Sequence, residues 1–143
     1  MSPQIKDHDG NDVTHGRESL NGTRLHYVTA GSGEPLLLVH GVPKSSWYWS
    51  RIIPLLTPHY TVVAPDVRGF GDSFRPRDGY DMQTIGEDLA QLMSVLGHEQ
   101  FFLHGEDWGA AFAYARKMSL TPWALGEADF RLLERHFGTE RAI

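Results

Sequence analysis

The sequence predicts an α/β fold, in which helices cover the faces of a mostly parallel sheet. Three short runs carry this prediction: 36–39 and 101–103 are entirely apolar, and 60–64 is rich in β-branched residues. Uninterrupted apolar runs are typical of strands that are buried on both faces of a parallel sheet. Segments with helical periodicity separate the runs, and this alternation favours strand–helix–strand units after an N-terminal hairpin.

Composition bounds the class of protein. The chain has 143 residues, enough for one domain with a core, and its 41% hydrophobic and 22% charged content is that of a soluble globular protein. A net charge of -5 disfavours nucleic acid or an anionic membrane as a partner, and the absence of cysteine excludes disulfides and thiolate metal sites. No run approaches the length of a membrane span, and residues 1–10 lack a signal-peptide core, so we expect a cytoplasmic protein.

The N-terminal region predicts a polar arm over residues 1–16, followed by a hairpin. Asn21-Gly22 separates 18–20 from 24–30, and this dipeptide is a strong signal for a two-residue hairpin turn. Residues alternate along the second strand, so we expect one of its faces to be more buried than the other. His8 and His15 are better explained as surface histidines than as metal ligands, since no third ligand lies nearby.

The run 36–39 ends in His40-Gly41-Val42-Pro43. A glycine just past a central strand lets the backbone turn sharply, so that the following N–H groups point into the crevice at the strand ends. Val42 N–H is therefore one candidate donor to a developing oxyanion, and Trp108 N–H is the other. His40 is a candidate base, but a histidine at a strand end more often braces its loop by hydrogen bonds.

An aromatic cluster, Trp47-Tyr48-Trp49, leads into an apolar run at 52–56 that Pro54 interrupts. We therefore expect a helix that is short or broken at the proline. Part of the aromatic cluster belongs to the core. One member either joins that core or lines an apolar pocket over Asp107, and the sequence favours neither reading.

The strand at 60–64 is followed by a polar loop that glycines punctuate, residues 65–73. Asp66 and Arg68 in this loop are either a catalytic acid and an anion binder or a pair that ties the loop down. The second reading is favoured, because ordered loops need such charges and glycines. A helix with Thr84 as its N-cap and Glu87 completing a capping box is predicted to run to about Leu96, with Gly97 ending it.

The stretch Gly105-Glu106-Asp107-Trp108-Gly109 joins the last apolar run to a segment of helix formers. A glycine two residues before and after a central acid has the form of a nucleophile elbow, a strained turn that exposes its central side chain. The alternative is that Asp107 is only the N-cap of the helix. A carboxylate nucleophile attacks carbon and gives an ester that water can cleave, so the pattern predicts hydrolase chemistry through a covalent intermediate.

These motifs together resemble the α/β-hydrolase superfamily and, within it, the epoxide hydrolases, with haloalkane and haloacid dehalogenases as cousins. The resemblance covers about residues 3–117 and rests on the segments 40–43, 47–49, 64–73 and 105–109. It implies Asp107 as nucleophile, the N–H groups of Val42 and Trp108 as oxyanion donors, and a small apolar epoxide or related substrate. It further implies a sheet of order 1-2-4-3-5 with the second strand antiparallel, and neither cofactor nor metal. We expect the substrate-binding residues to be His40, Gly41, Pro43 and Trp47.

The chain departs from this pattern after residue 118. We divide it into an arm at 1–16, a partial, truncated hydrolase core at 17–118 and a divergent tail at 119–143, which carries one amphipathic helix over 127–137. In the tail, His136 is a poor substitute for the family's general base. The strand before the elbow then forms a sheet edge, which we expect the tail helix, a second copy or a complementing second half to cover. The alternative function is a catalytically inactive interaction module.

Overall fold

The computed structural model describes residues 4–112 and arranges them as one five-stranded sheet with short helices. The helices are a 3-10 turn at Ser46–Trp49, α1 at Ile53–Leu56 and α2 at Met82–Val95, and a further helix begins at 108–112. The strands are β1 (Thr14–Leu20), β2 (Thr23–Gly31), β3 (Glu34–Val39), β4 (Tyr60–Pro65) and β5 (Phe102–Gly105).

The strand order is β1-β2-β4-β3-β5, which confirms the predicted topology. β2 runs antiparallel to both of its neighbours, as predicted, whereas β3 is parallel to β4 and to β5. Half of the strand pairings are therefore antiparallel, so the sheet is mixed rather than mostly parallel. The carboxyl ends of β3, β4 and β5 nevertheless meet at one edge, which is where open α/β sheets bind ligands.

The core has two layers, one on each face of the sheet. Residues of β3 alternate between them, with Leu37 and Val39 in the layer under α2 and Leu36 and Leu38 in the layer under α1. All four are buried, which explains why the strand is apolar along its whole length. Trp49 lies in the α1 layer and is fully buried, so this member of the aromatic cluster belongs to the core.

The hairpin turn agrees with its prediction, since Asn21 and Gly22 both have positive φ, as a type I′ turn requires. Two expectations about the flanking region differ from the structure. β1 begins at Thr14, inside the predicted arm, and Ile5 and Val13 are buried against the α1 layer. Both faces of β2 are buried from Leu25 to Val28, because Val28 packs in the α1 layer and the loop that follows β4 is hydrogen bonded to His26.

The predicted N-cap of α2 is wrong. Asp81 is the cap, and its carboxylate accepts hydrogen bonds from both the N–H and the hydroxyl of Thr84. Thr84 stands three residues further on and makes this cap possible by donating to it. Gly97 follows the helix with φ +86, which confirms the predicted stop.

The predicted tail helix over 127–137 and His136 lie outside the described residues. Among the helices within 4–112, none has the length and apolar character that crossing a membrane would require.

Candidate active site

The site is organised around the turn between β5 and the helix that begins at 108. Asp107 occupies this turn with φ +57, a left-handed conformation that strains a residue other than glycine. A Cβ added at Gly105 would overlap the backbone of Gly109, and one added at Gly109 would overlap the backbone of Val39. Both glycines are therefore required for the turn to fit against β3.

The geometry disfavours the reading of Asp107 as an N-cap. A capping carboxylate accepts from the N–H groups two or three residues later, and its own backbone is extended. Here the N–H groups of Gly109 and Ala110 instead donate to the carbonyl oxygens of Glu106 and Asp107, at 2.9 and 3.0 Å. Together with the left-handed backbone of Asp107, this pattern defines an elbow.

The Asp107 carboxylate is exposed and lies against the turn that follows β3. A Cβ added at Gly41 would come within 2.8 Å of Asp107 Oδ2. Only a glycine therefore allows the backbone to approach the carboxylate this closely, next to the peptide that carries Val42 N–H. Trp108, the second predicted donor, follows Asp107 directly and is the first residue of the helix. The structure thus places Asp107 against Gly41, and the predicted donors Val42 and Trp108 directly follow these two residues in the chain.

His40 supports this arrangement from behind. Its side chain is fully buried, with Nδ1 2.7 Å from the Gly41 carbonyl oxygen and Nε2 accepting from Val67 N–H at 2.9 Å. Burial lowers the pKa of His40, against opposing effects of Gly41 and Asp66, which favours the neutral ring that these contacts need. These hydrogen bonds confirm the interpretation of His40 as a brace of its loop.

The loop after β4 is held by Asp66, which is buried. Its carboxylate accepts from His26 Nδ1 at 2.7 Å, from Ser46 N–H at 2.6 Å and from Asp72 N–H at 2.9 Å. Burial alone would raise the pKa of Asp66, but these hydrogen bonds outweigh it and lower the pKa to about 2. Asp66 therefore ties the loop to β2 and to the 3-10 turn, as the favoured reading predicted.

Arg68 anchors the same loop to α2. Its guanidinium makes a two-pronged ion pair with Asp88, with Nε and Nη2 each 2.8 Å from a carboxylate oxygen. Nη2 also donates to the Asn21 carbonyl oxygen at 2.9 Å. Both charged side chains are almost completely buried, so this pair is structural and does not bind an anion.

One group of three residues offers metal ligands within the described part of the chain. Ligand atoms of His26, Asp66 and Asp72 lie within 4.8 Å of one another. However, His26 Nδ1 and Asp66 Oδ2 are already hydrogen bonded to each other, and Asp72 supplies its backbone N–H to the same carboxylate. The hydrogen bonds account for the cluster without a metal.

Sequence reasoning missed a link between the aromatic cluster and the elbow. Tyr48 donates its hydroxyl hydrogen to Glu106 Oε2, and His104 Nε2 lies 3.6 Å from Glu106 Oε1. Burial lowers the pKa of His104, while the neighbouring Glu106 carboxylate opposes that shift. Glu106 thus connects the elbow to the 3-10 turn at Ser46–Trp49. Its position beside Asp107 was a signal, but a residue 58 positions away in sequence cannot be paired with it by pattern alone.

A cavity of about 540 Å³ opens next to this link. Its lining includes Pro43, Trp47, Tyr48 and Phe70. Trp47 is 46% exposed, in contrast to the buried Trp49. The aromatic cluster is therefore divided between core and pocket, and two of the predicted substrate-binding residues, Pro43 and Trp47, line the cavity.

This fold and site place the chain in a known class. The model of the alpha/beta hydrolase fold family matches residues 34–115, more than half of the chain, and this range contains the elbow and the turn after β3. The chain belongs to the alpha/beta hydrolase fold family.

Within this family, the chain is similar to individual epoxide hydrolases and to a dehalogenase. The soluble epoxide hydrolase of Corynebacterium sp. (strain C12) is 47% identical over 103 residues, which is 72% of this chain and 36% of the relative. The fluoroacetate dehalogenase of Burkholderia sp. is 41% identical over 90 residues, 59% of this chain and 30% of the relative. The solved structure of the epoxide hydrolase CorEH without ligand superposes with a TM-score of 0.74 at 44% identity, covering 76% of this chain and 38% of that one. The chain thus spans about a third of the length of its curated relatives.

Proposed function

We propose that this chain is an epoxide hydrolase-like hydrolase whose Asp107 carboxylate attacks a carbon of an epoxide or, in a halide, the carbon that bears the halogen. The single observation that carries the proposal is the left-handed, glycine-flanked turn that exposes Asp107 beside Gly41. Similarity to epoxide hydrolases over the same segment supports the choice of electrophile. The substrate is a small, largely apolar molecule, and the location is the cytoplasm.

The first step forms a bond between an Asp107 carboxylate oxygen and carbon as the bond from that carbon to the epoxide oxygen breaks. The released alkoxide takes a proton from water, or the halogen leaves as halide. The enzyme then carries a hydroxyalkyl or alkyl ester on Asp107. Attack is favoured because the carboxylate approaches from a rigid turn, so little orientational freedom remains to be lost.

The second step returns the free carboxylate. Water attacks the ester carbonyl, and the N–H groups of Val42 and Trp108 stabilise the oxyanion that develops there. This step needs a general base within hydrogen-bond reach of the water. His40 is buried and engaged on both ring nitrogens, so it does not serve. We propose that a partner chain or a complementing second half supplies the base.

Intact-mass spectrometry after incubation with styrene oxide tests the first step. We expect the mass to rise by one epoxide per chain, and peptide mapping to place the adduct on Asp107. Asp107→Asn is the matched control, because asparagine also tolerates the left-handed conformation but is a poor nucleophile. An adduct that forms equally on this variant, or a wild-type chain that stays unmodified and releases no diol, contradicts the proposal.

The second candidate function is an inactive interaction module, and the position of β5 favours it. Within the described residues, β5 pairs only with β3 and forms an edge of the sheet. Such an edge offers unpaired backbone groups to another strand. On this reading the chain forms a homo-oligomer, or binds a complementing half, without any adduct. Native mass spectrometry and a diol assay on the same samples distinguish the two candidates: assembly with neither modification nor diol formation supports the module.

A further inference from the structure

The cavity beside the elbow has a chemical character of its own. Two residues of its wall show where the cavity lies. Pro43 follows Gly41 by two residues in the chain, and Tyr48 is hydrogen bonded to Glu106. Gly41 and Glu106 both adjoin Asp107, since the carboxylate lies against Gly41. Asp107 does not itself line the cavity, but the cavity wall is linked to both of these neighbours of Asp107.

Aromatic side chains give the cavity an apolar wall. Trp47, Tyr48 and Phe70 line it, and the first two are among the exposed large hydrophobic residues of the described chain. Exposed aromatic surface that converges on a concavity is typical of ligand sites, because it is released from water when a ligand binds. An apolar, preferably aromatic, ligand body matches this wall.

Two cations complete the lining. Lys44 Nζ lies 3.9 Å from the centroid of the Tyr48 ring, and Arg75 Nη2 donates to the Gly71 carbonyl oxygen at 3.1 Å. These contacts hold the Lys44 ammonium group and the Arg75 guanidinium group at the wall of the cavity. No carboxylate belongs to the lining, although the whole chain carries a net charge of -5. The nearby carboxylate of Glu106 is already hydrogen bonded to Tyr48.

We propose that this cavity binds the carboxylate end of an arylalkanoate-like substrate, with Lys44 and Arg75 contacting the anion and Trp47 and Phe70 packing on the apolar body. The proposal deepens the proposed function, because it names the substrate class of the same site and rests on that function for its catalytic meaning. The binding itself does not depend on Asp107 chemistry. The positive charges of Lys44 and Arg75 offset the repulsion that Asp107 would otherwise exert on an acidic substrate.

The test uses probes without an electrophilic carbon, phenylacetate and its neutral analogue phenylacetamide. Amide-detected NMR titration of the full chain gives both affinities and locates the site. We expect phenylacetate to bind roughly 5-fold more tightly than phenylacetamide, since each partly exposed ion pair contributes a factor of about 2 to 5. Lys44→Gln and Arg75→Gln should each weaken phenylacetate binding by about that factor and leave phenylacetamide unchanged.

Arg51→Gln is the matched control, because Arg51 is exposed and does not line the cavity; it should change neither affinity. Asp107→Asn should bind phenylacetate at least as tightly as wild type, because it removes a neighbouring negative charge. Circular dichroism of each variant confirms folding, and Lys44→Gln suffices if Arg75→Gln does not fold. Equal affinities for the two probes, no binding of either, or the same loss in Arg51→Gln would overturn the proposal.

The two proposals fail separately. If phenylacetate is preferred but styrene oxide leaves no adduct and yields no diol, the cavity is an anion-binding site and the nucleophile assignment is wrong. If the adduct forms but the probes bind alike, Asp107 chemistry stands and the cavity proposal is wrong.

Discussion

The loop after β4, residues 66–73, and the elbow, residues 105–109, occupy equivalent places in the sheet and treat their acids in opposite ways. Each follows the carboxyl end of a parallel strand and carries an aspartate there. Asp66 is 2% exposed and accepts hydrogen bonds from three partners. Asp107 is exposed, has positive φ, and lies beside the backbone of Gly41.

The contrast separates acids that hold structure from acids that are available for chemistry. The hydrogen bonds to Asp66 occupy both carboxylate oxygens, so this group stabilises the loop and cannot attack a substrate. The exposed carboxylate of Asp107 remains accessible, and its turn stores strain that the neighbouring packing must offset. A place at a strand end therefore does not make a nucleophile, and our proposal for Asp107 rests on its accessibility and its strained backbone together.

The largest effect on stability should come from breaking the ion pair that anchors the loop after β4. Arg68→Ala leaves the Asp88 carboxylate buried without its ion partner, and such losses typically cost about 3–5 kcal/mol. We expect a decrease of that size in the free energy of unfolding, measured by urea denaturation.

The double variant Arg68→Ala with Asp88→Ala is the control for this prediction. It should cost little more than Arg68→Ala alone, because the second substitution removes the stranded charge. A single variant within about 1 kcal/mol of wild type would mean that the pair is solvated and that the loop is not anchored as described.

Acid should lower the stability of the fold by protonating Asp66, which holds the loop after β4. The pKa of Asp66 lies at about 2, below its ordinary value of 3.8, so folding is favoured above pH 3.8 and the advantage is lost as the pH falls toward 2. The shift corresponds to about 2 kcal/mol.

Comparison with Asp66→Asn isolates this contribution from the other carboxylates. The difference in unfolding free energy between wild type and Asp66→Asn should shrink by about 2 kcal/mol between pH 5 and pH 2. A difference that stays constant with pH would show that the hydrogen bonds to the Asp66 carboxylate do not favour its ionised form in the folded state.

Local signals predicted both regions in part. The glycines at 105 and 109 predicted the elbow because any Cβ there meets neighbouring backbone, a constraint that is written into a five-residue window. The hairpin turn at Asn21-Gly22 was predicted for the same kind of reason. The strand order came from the resemblance, since no local pattern specifies which strands become neighbours.

The features that sequence missed depend on distant partners. His26 alternates with buried residues on β2, yet it is buried because the loop after β4 brings Asp66 to it. The bond from Tyr48 to Glu106 likewise joins segments far apart in the chain. The Asp81 cap was missed for a local reason: Asp81 and Thr84 both have side chains that cap helices, and only geometry shows which one donates.

The smallest effect we predict concerns the stability of variants at the elbow. Its sign tests whether Asp107, unlike Asp66, occupies a strained backbone conformation. At ordinary positions alanine is more stable than glycine by roughly 0.5–1 kcal/mol, because glycine loses more backbone freedom on folding. At φ +57 an alanine Cβ crowds the following carbonyl at a cost of roughly 1–2 kcal/mol, which glycine avoids. Asp107→Gly should therefore be more stable than Asp107→Ala by about 1 kcal/mol in thermal or urea unfolding.

The same pair of substitutions at Gln91, within α2, should show the opposite order. Neither elbow variant has a carboxylate to alkylate, so both should leave styrene oxide unreacted. If alanine proves the more stable residue at position 107 as well, the turn is not left-handed in solution, and the strain that distinguishes this acid from Asp66 is absent.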